Sequence, residues 1–151
     1  MRLTPFHIAV QVRDIAEARR FYTDMLGCLE GRSAAKWVDF NLFGHQLVCH
    51  LNPLLGRAGT IASHYNPVDG ESVPVPHCGV VLEMHDWNEL ARRLQAHGVR
   101  FVIAPCIRFK GTPGEQATLF LLDPSGNALE FKAFKDIARQ LFATAAAGQE
   151  M

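Results

Sequence analysis

Residues 4–14 read TPFHIAVQVRD, and residues 73–86 read VPVPHCGVVLEMHD. Each stretch is strand-like and apolar, contains one histidine near its start, His7 or His77, and runs into an Asp-x-x-Glu box. Asp14 with Glu17, and Asp86 with Glu89, have the spacing of a helix capping box. After each box the apolar residues repeat at helical spacing and stop at a glycine. The first stripe is Ile15, Ala18, Phe21, Tyr22, Met25 and Leu26 before Gly27; the second is Trp87, Leu90, Ala91 and Leu94 before Gly98. The histidines stand 70 residues apart and the predicted caps 72 apart, so the second strand-to-helix connection reads as two residues longer. A strand–helix unit used twice is a duplication, and it decides the fold.

Three strands come after the first helix, at 29–32, 36–42 and 46–51, with Phe43-Gly44-His45 as a hairpin turn. The second unit continues with strands at 101–103, 116–122 and 128–134, the last two joined by the Asp123-Pro124-Ser125-Gly126 turn. A polar loop with glycine and proline spans 108–115. The chain is therefore α+β: a βαβββ module at 1–52, a linker at 53–76, a second βαβββ module at 77–134 and a C-terminal helix at 136–147. Ile137, Leu141 and Phe142 form that helix's docking side. The linker carries Pro53, Gly56, Gly59, Pro67, Gly70, Pro74 and Pro76 without clear periodicity. Such a long irregular segment is uncommon unless it covers something.

At 151 residues and 48% hydrophobic, the chain is long enough for a real core and reads as one domain built of two modules. Basic and acidic residues balance at 15 each, which argues against a nucleic-acid-binding face. The apolar runs are strand-length, far short of a membrane span. The first twelve residues lack a basic start followed by a signal-like apolar helix, so a cytoplasmic location is the expectation. Cys28, Cys49, Cys78 and Cys106 form no CxxC pair and are read as unbridged thiols.

The chemistry lies in polar residues on apolar strands. His7 shares a strand face with Ala9 and Gln11, and His77 with Gly79 and Val81, so small neighbours leave room beside each ring. Glu130 falls inside Ala128-Leu129-Glu130-Phe131, where a carboxylate is costly to bury unless it is paired or metal-bound. Lys132, two residues on, is expected to point outside. His50 closes the last strand of the first module and is read as the positional counterpart of Glu130. A lone histidine on an apolar strand is more often a hydrogen-bonded core residue than a ligand. His7, His77 and Glu130 together, within a repeated framework, favour a divalent metal. Two imidazoles and one carboxylate leave positions open for water, substrate or dioxygen. His45, His64, His85 and His97 read as turn, linker or surface residues. Arg108 and Lys110 precede a Gly/Pro loop, where they are either solvated charges or a clamp for an anionic substrate.

The βαβββ duplication, HIAVQVRDIAEARRFYTDMLG at 7–27 and LFLLDPSGNALEF at 119–131 resemble the vicinal oxygen chelate superfamily. That superfamily includes glyoxalase I, bleomycin- and fosfomycin-resistance proteins and type I extradiol dioxygenases. The resemblance covers nearly the whole chain except the linker and tail, and is more specific for the superfamily than for any one reaction. It implies two modules forming an incomplete barrel around one cavity, with a divalent ion held by His7, His77 and Glu130. Glyoxalase I-like relatives add a fourth ligand, usually Glu, late in the first module, where this chain offers His50. Extradiol enzymes carry a tyrosine ten residues before the glutamate ligand; here that position is Phe120, which has no hydroxyl.

The resemblance implies an Fe(II) enzyme of extradiol-dioxygenase type acting on a small catechol-like or vicinal-diol substrate. His50 would move a proton, and Arg108 or Lys110 would neutralise substrate charge. The alternative is a glyoxalase- or epimerase-like lyase or isomerase using Ni, Zn, Co or Mn. A third reading is a small-molecule-binding resistance protein. Relatives also imply a homodimer. All three functions share one fold, so the fold alone does not choose between them.

Overall fold

The computed structural model describes residues 3–144. The chain divides into two compact units: Met1–Ser63 with Leu122–Ala128, and His64–Leu121 with Leu129–Met151. Each sequence module supplies one open, four-stranded mixed sheet with a helix on one face, which is the α+β architecture expected from the duplication.

In the first unit, β1 (His7–Val12), β2 (Leu29–Ala34), β3 (Trp37–Leu42) and β4 (His45–Leu51) lie in the order β1-β4-β3-β2. β1 and β4 are parallel, and His7 stands beside Gln46, Ala9 beside Val48, and Gln11 beside His50. Successive strand residues point to opposite faces. One face therefore carries Val12, Leu47, Cys49, Val38, Phe40 and Leu42, all buried. The other carries His7, Gln46, Val48, His50, Asp39 and Trp37. Helix α1 (Ile15–Arg19) packs on β3 and β4, and Asp14 caps it by accepting a hydrogen bond from the Glu17 amide. The predicted helix is real, but its second half, Arg20–Met25, is π-helical: the Leu26 amide reaches back five residues to the Phe21 carbonyl. That geometry keeps Phe21, Tyr22 and Leu26 buried together, with Tyr22 stacked on Phe40 at 5.1 Å. Each such fully buried aromatic contributes about 1.5–3 kcal/mol through the area it removes from water.

The first unit also holds the 123–127 turn. Asp123 accepts hydrogen bonds from the Tyr22 hydroxyl at 3.0 Å, the Ser125 and Asn127 amides, and the Asn127 side chain. Gly126, at φ 89°, closes the turn with backbone a side chain rarely adopts.

In the second unit, β7 (His77–Leu82), β8 (Phe101–Arg108), β9 (Gln116–Leu122) and β10 (Ala128–Ala133) lie in the order β7-β10-β9-β8. Helix α2 runs Met84–Ala96 and buries Trp87, Leu90, Ala91 and Leu94 as its stripe predicts. The Trp87 indole donates to the Phe131 carbonyl at 2.9 Å. The helix starts earlier than the sequence suggests. Glu83 is the N-cap residue and Asp86 sits in the first turn, so the second connection is not lengthened. There Asp86 faces the positive end of the helix dipole instead of capping it. β8 is also longer than expected. It carries Pro105 by shifting register between Ile103 and Cys106, an irregularity that tolerates a missing amide.

The 53–76 segment differs most from its expected form. It contains a 3-10 turn, Pro53–Leu55, and a hairpin of β5 (His64–Val68) and β6 (Glu71–Val75). Asp69 and Gly70, at φ 50° and 77°, form its turn. The hairpin covers one side of the second sheet: Val73 packs on Ile103 and Phe120. The C-terminal helix, α3, spans Ile137–Gln140, and Phe142 is exposed rather than docked. Residues 145–147 of the expected helix lie outside the described residues. None of the four cysteines forms a disulfide. Among the described residues no helix is long and apolar enough to cross a membrane.

Candidate metal centre

Glu130 is 5% exposed, in the middle of β10. Its carboxylate is bounded by three side chains. His77 Nε2 lies 3.2 Å and Lys132 Nζ 3.3 Å from Oε2, and the Thr118 hydroxyl donates to Oε1 at 2.8 Å. Glu130 and Lys132 share a strand face because they are two residues apart. Lys132 therefore turns toward the carboxylate rather than outside, and the buried charge is paired within the protein. β7 comes close enough for this cluster because of Gly79: a Cβ there would collide with the Glu130 carbonyl oxygen. The small residue beside His77, read from the sequence as room for a ligand, makes room for backbone.

His77 is held from behind. Its Nδ1 lies 2.7 Å from the Pro74 carbonyl oxygen, which only accepts, so Nδ1 carries the proton. In the neutral ring Nε2 is then a lone pair aimed at a carboxylate oxygen. Two acceptors face each other, an arrangement that a shared proton or a cation relieves. The hydrogen bond to Glu130 raises the His77 pKa above its ordinary value; burial opposes this and the Pro74 carbonyl reinforces it. For Glu130, burial alone pushes the carboxyl up, but the His77 hydrogen bond, the Lys132 ammonium and the Thr118 hydroxyl together hold it below the usual range. Phe120 packs edge-on against the His77 ring at 5.1 Å, fixing its plane. A concavity of about 220 Å³ opens beside the pair, lined by His77, Gly79, Val81, Glu130 and Lys132. Pockets for drug-sized ligands run from about 300 Å³ upward, so this space suits an ion with a few ligand atoms.

In the first unit His7 is exposed, and its Nδ1 lies 2.7 Å from Gln46 Oε1. His50 shares the face of His7 but stands beside Gln11 and Trp37, four residues further along the ladder. At about 3.3 Å per residue that is roughly 13 Å, too far for both rings to hold one ion. The turn glycines give the module correspondence: Gly44 and Gly126, at φ 93° and 89°, precede β4 and β10. Counting from them, Val48 is the counterpart of Glu130, and His50 that of Lys132. Arg108 ends β8 and is buried, donating from Nη2 to the Val68 carbonyl at 2.6 Å and stacking on Phe109 at 5.0 Å. It secures the β5–β6 hairpin instead of lying in a solvated loop. Lys110 is exposed in the following turn. Among the described residues, no three of His, Cys, Asp and Glu are grouped closely enough to hold a metal. The structure thus brings together His77 and Glu130, and adds Lys132 and Thr118, which sequence reasoning does not place there. Thr118 had a signal in principle, being a hydroxyl residue inside the apolar run 116–122.

The sequence model described as Glyoxalase/Bleomycin resistance protein/Dioxygenase superfamily matches residues 4–131. A solved structure with that same description, from Alicyclobacillus acidocaldarius, is 33% identical, with 92% of this chain and 98% of that chain covered at a TM-score of 0.74. Two others share the fold at 18% identity. A lactoylglutathione lyase from Agrobacterium tumefaciens has a TM-score of 0.60 and covers 95% of this chain and 97% of its own. The fosfomycin resistance protein FosX from Listeria monocytogenes has a TM-score of 0.59 and covers 92% and 99%. No curated protein matches the sequence significantly.

Proposed function

The chain belongs to the glyoxalase/bleomycin resistance protein/dioxygenase superfamily, and from that premise we propose a divalent-metal enzyme of extradiol-dioxygenase type, acting on a small catechol-like or vicinal-diol molecule. The observation that carries the proposal is the pair of facing acceptors, His77 Nε2 and Glu130 Oε2, 3.2 Å apart. Imidazole nitrogen and carboxylate oxygen are the donors such an ion takes, and the Pro74 carbonyl and Thr118 hydroxyl orient them from behind. The third ligand in this reading is His7, assigned by the family resemblance. A bound Fe(II) ion would supply Lewis-acid polarisation of adjacent substrate oxygens and electrons for oxygen chemistry.

The protein's own groups do the rest. Thr118 and His77 keep the Glu130 carboxylate ionised and aimed. Phe120 keeps water from the inner face of the His77 ring. Lys132 offers a positive charge to an anionic substrate oxygen once Glu130 is shared with an ion. Arg108 has no part in this scheme, because its guanidinium holds the hairpin.

A second reading, an oxygen-independent lyase or isomerase on Ni, Zn, Co or Mn, is favoured by one residue. Phe120 stands where the extradiol resemblance calls for a tyrosine hydroxyl. Elemental analysis of anaerobically purified protein, parent and Glu130→Ala, separates the possibilities. Near-stoichiometric iron lost in the variant, with oxygen uptake on catechols, supports the leading reading. A different divalent metal, with turnover that needs no oxygen, supports the second. No metal after anaerobic reconstitution overturns both and leaves a small-molecule-binding protein.

A further inference from the structure

We infer that Asp39 and Gln46 are positioning residues that set the proton on His7, so that its Nε2 is the lone pair offered to an ion. The inference deepens the metal reading above. Asp39 lies on β3 with its side chain 8% exposed, on the same sheet face as Gln46 and His7. Gln46 Nε2 donates to Asp39 Oδ2 at 3.0 Å, and Gln46 Oε1 lies 2.7 Å from His7 Nδ1. The sense of the chain of hydrogen bonds is set by its buried end. A carboxylate only accepts, so the amide must turn its NH2 group to Asp39; the reverse orientation would set two acceptors against each other. The amide oxygen is then what His7 meets, and Nδ1 must carry the hydrogen. In the neutral ring Nε2 is left without one.

The carboxylate is built into place. β2 shifts register between Glu30 and Ser33, so that Gly31 and Arg32 together stand opposite Asp39. A Cβ on Gly31 would collide with Asp39 Oδ1. Arg32 Nε stands 3.6 Å from Oδ2, whereas Oδ1 is buried with no hydrogen-bond partner among the described residues. A bulge that nests an incompletely satisfied carboxylate costs stability, and such features concentrate where a side chain must be aimed. The second module reaches the same tautomer by another route, since the Pro74 carbonyl holds the His77 Nδ1 proton.

The test is ring-nitrogen NMR on the full, metal-stripped chain at about pH 8.5, where ordinary histidines are neutral. In the parent, His7 should show a protonated Nδ1 and a bare Nε2. Asp39→Asn replaces the obligate acceptor with an amide that can donate as well as accept, so the Gln46 amide is no longer held in one sense. Gln46→Leu removes the amide itself and keeps the Asp39 carboxylate, with one donor fewer, should the first variant fold poorly. Both should move His7 toward the Nε2–H form that free histidine favours. Zn²⁺ affinity should fall about tenfold or more, the usual effect of losing a group that orients a ligand. A His7 ring that keeps its Nδ1 proton in both folded variants overturns the inference. If the parent shows the expected tautomer, loses it in the variants and yet takes up no ion, the positioning chain stands and the metal reading fails instead.

Discussion

Lys132 Nζ stands 3.3 Å from Glu130 Oε2, so the one buried carboxylate of the candidate centre already has a cation of its own. Lys132 and a metal ion compete for the same oxygen. Lys132→Met should therefore raise Zn²⁺ or Co²⁺ affinity by about tenfold, near 1.4 kcal/mol, a figure reduced for the partial exposure of the ammonium. Isothermal titration measures it. Weaker binding in the variant would show that Lys132 supports the ion instead of excluding it.

Proton and metal compete at the same pair. The His77 pKa is raised in the metal-free protein, so the stability it contributes is complete below its unfolded value of about 6.5 and is lost as pH rises through the folded value. Glu130 is lowered, and its contribution is present above the ordinary carboxylate range and lost as pH falls through its folded value. Urea unfolding of the parent minus His77→Gln should show the largest difference between those limits. Ion binding near pH 6.5 should release up to about one proton, read as a dependence of titration heat on buffer.

Gly79 permits β7 to lie against the Glu130 backbone, and any side chain there meets the carbonyl oxygen. Gly79→Ala should cost about 1–3 kcal/mol, the usual range for overpacking, and should weaken metal uptake by moving His77 from Glu130. A variant as stable as the parent, with unchanged ion affinity, would show that the strands separate without consequence.

The Tyr22 hydroxyl donates to Asp123, a carboxylate 4% exposed. Tyr22→Phe keeps the stack on Phe40 but leaves the carboxylate with one donor fewer. Denaturant unfolding should show a loss of about 1–3 kcal/mol, the cost of leaving a buried polar group short of a partner. Metal binding should be unchanged.

Much of the architecture is legible because it is written in local periods. Alternation places β3, β4, β9 and β10 within a residue or two. Helical spacing finds the buried faces of α1 and α2. The β5–β6 hairpin escapes such a reading although Asp69-Gly70 is a strong turn signal, because Pro67 and Pro74 obscure the flanking strands. The start of α2 is misplaced because a capping box at Asp86 is a local pattern, whereas β7 ends at Leu82 and hands the chain to the helix at once.

Residue type at short spacing is enough to establish the repeat, the two opening histidines and the presence of Glu130 inside an apolar strand. It does not say what those groups touch; that is settled only when the strands pair. Lys132 and Thr118 reach Glu130, Gln46 and Asp39 reach His7, and His50 lies four ladder positions from His7. Contacts between strands depend on register, and register is set by turns, a bulge at Gly31 and a close approach at Gly79. A slip of one residue turns every side chain to the opposite face, so no local pattern states which partner a buried charge will meet.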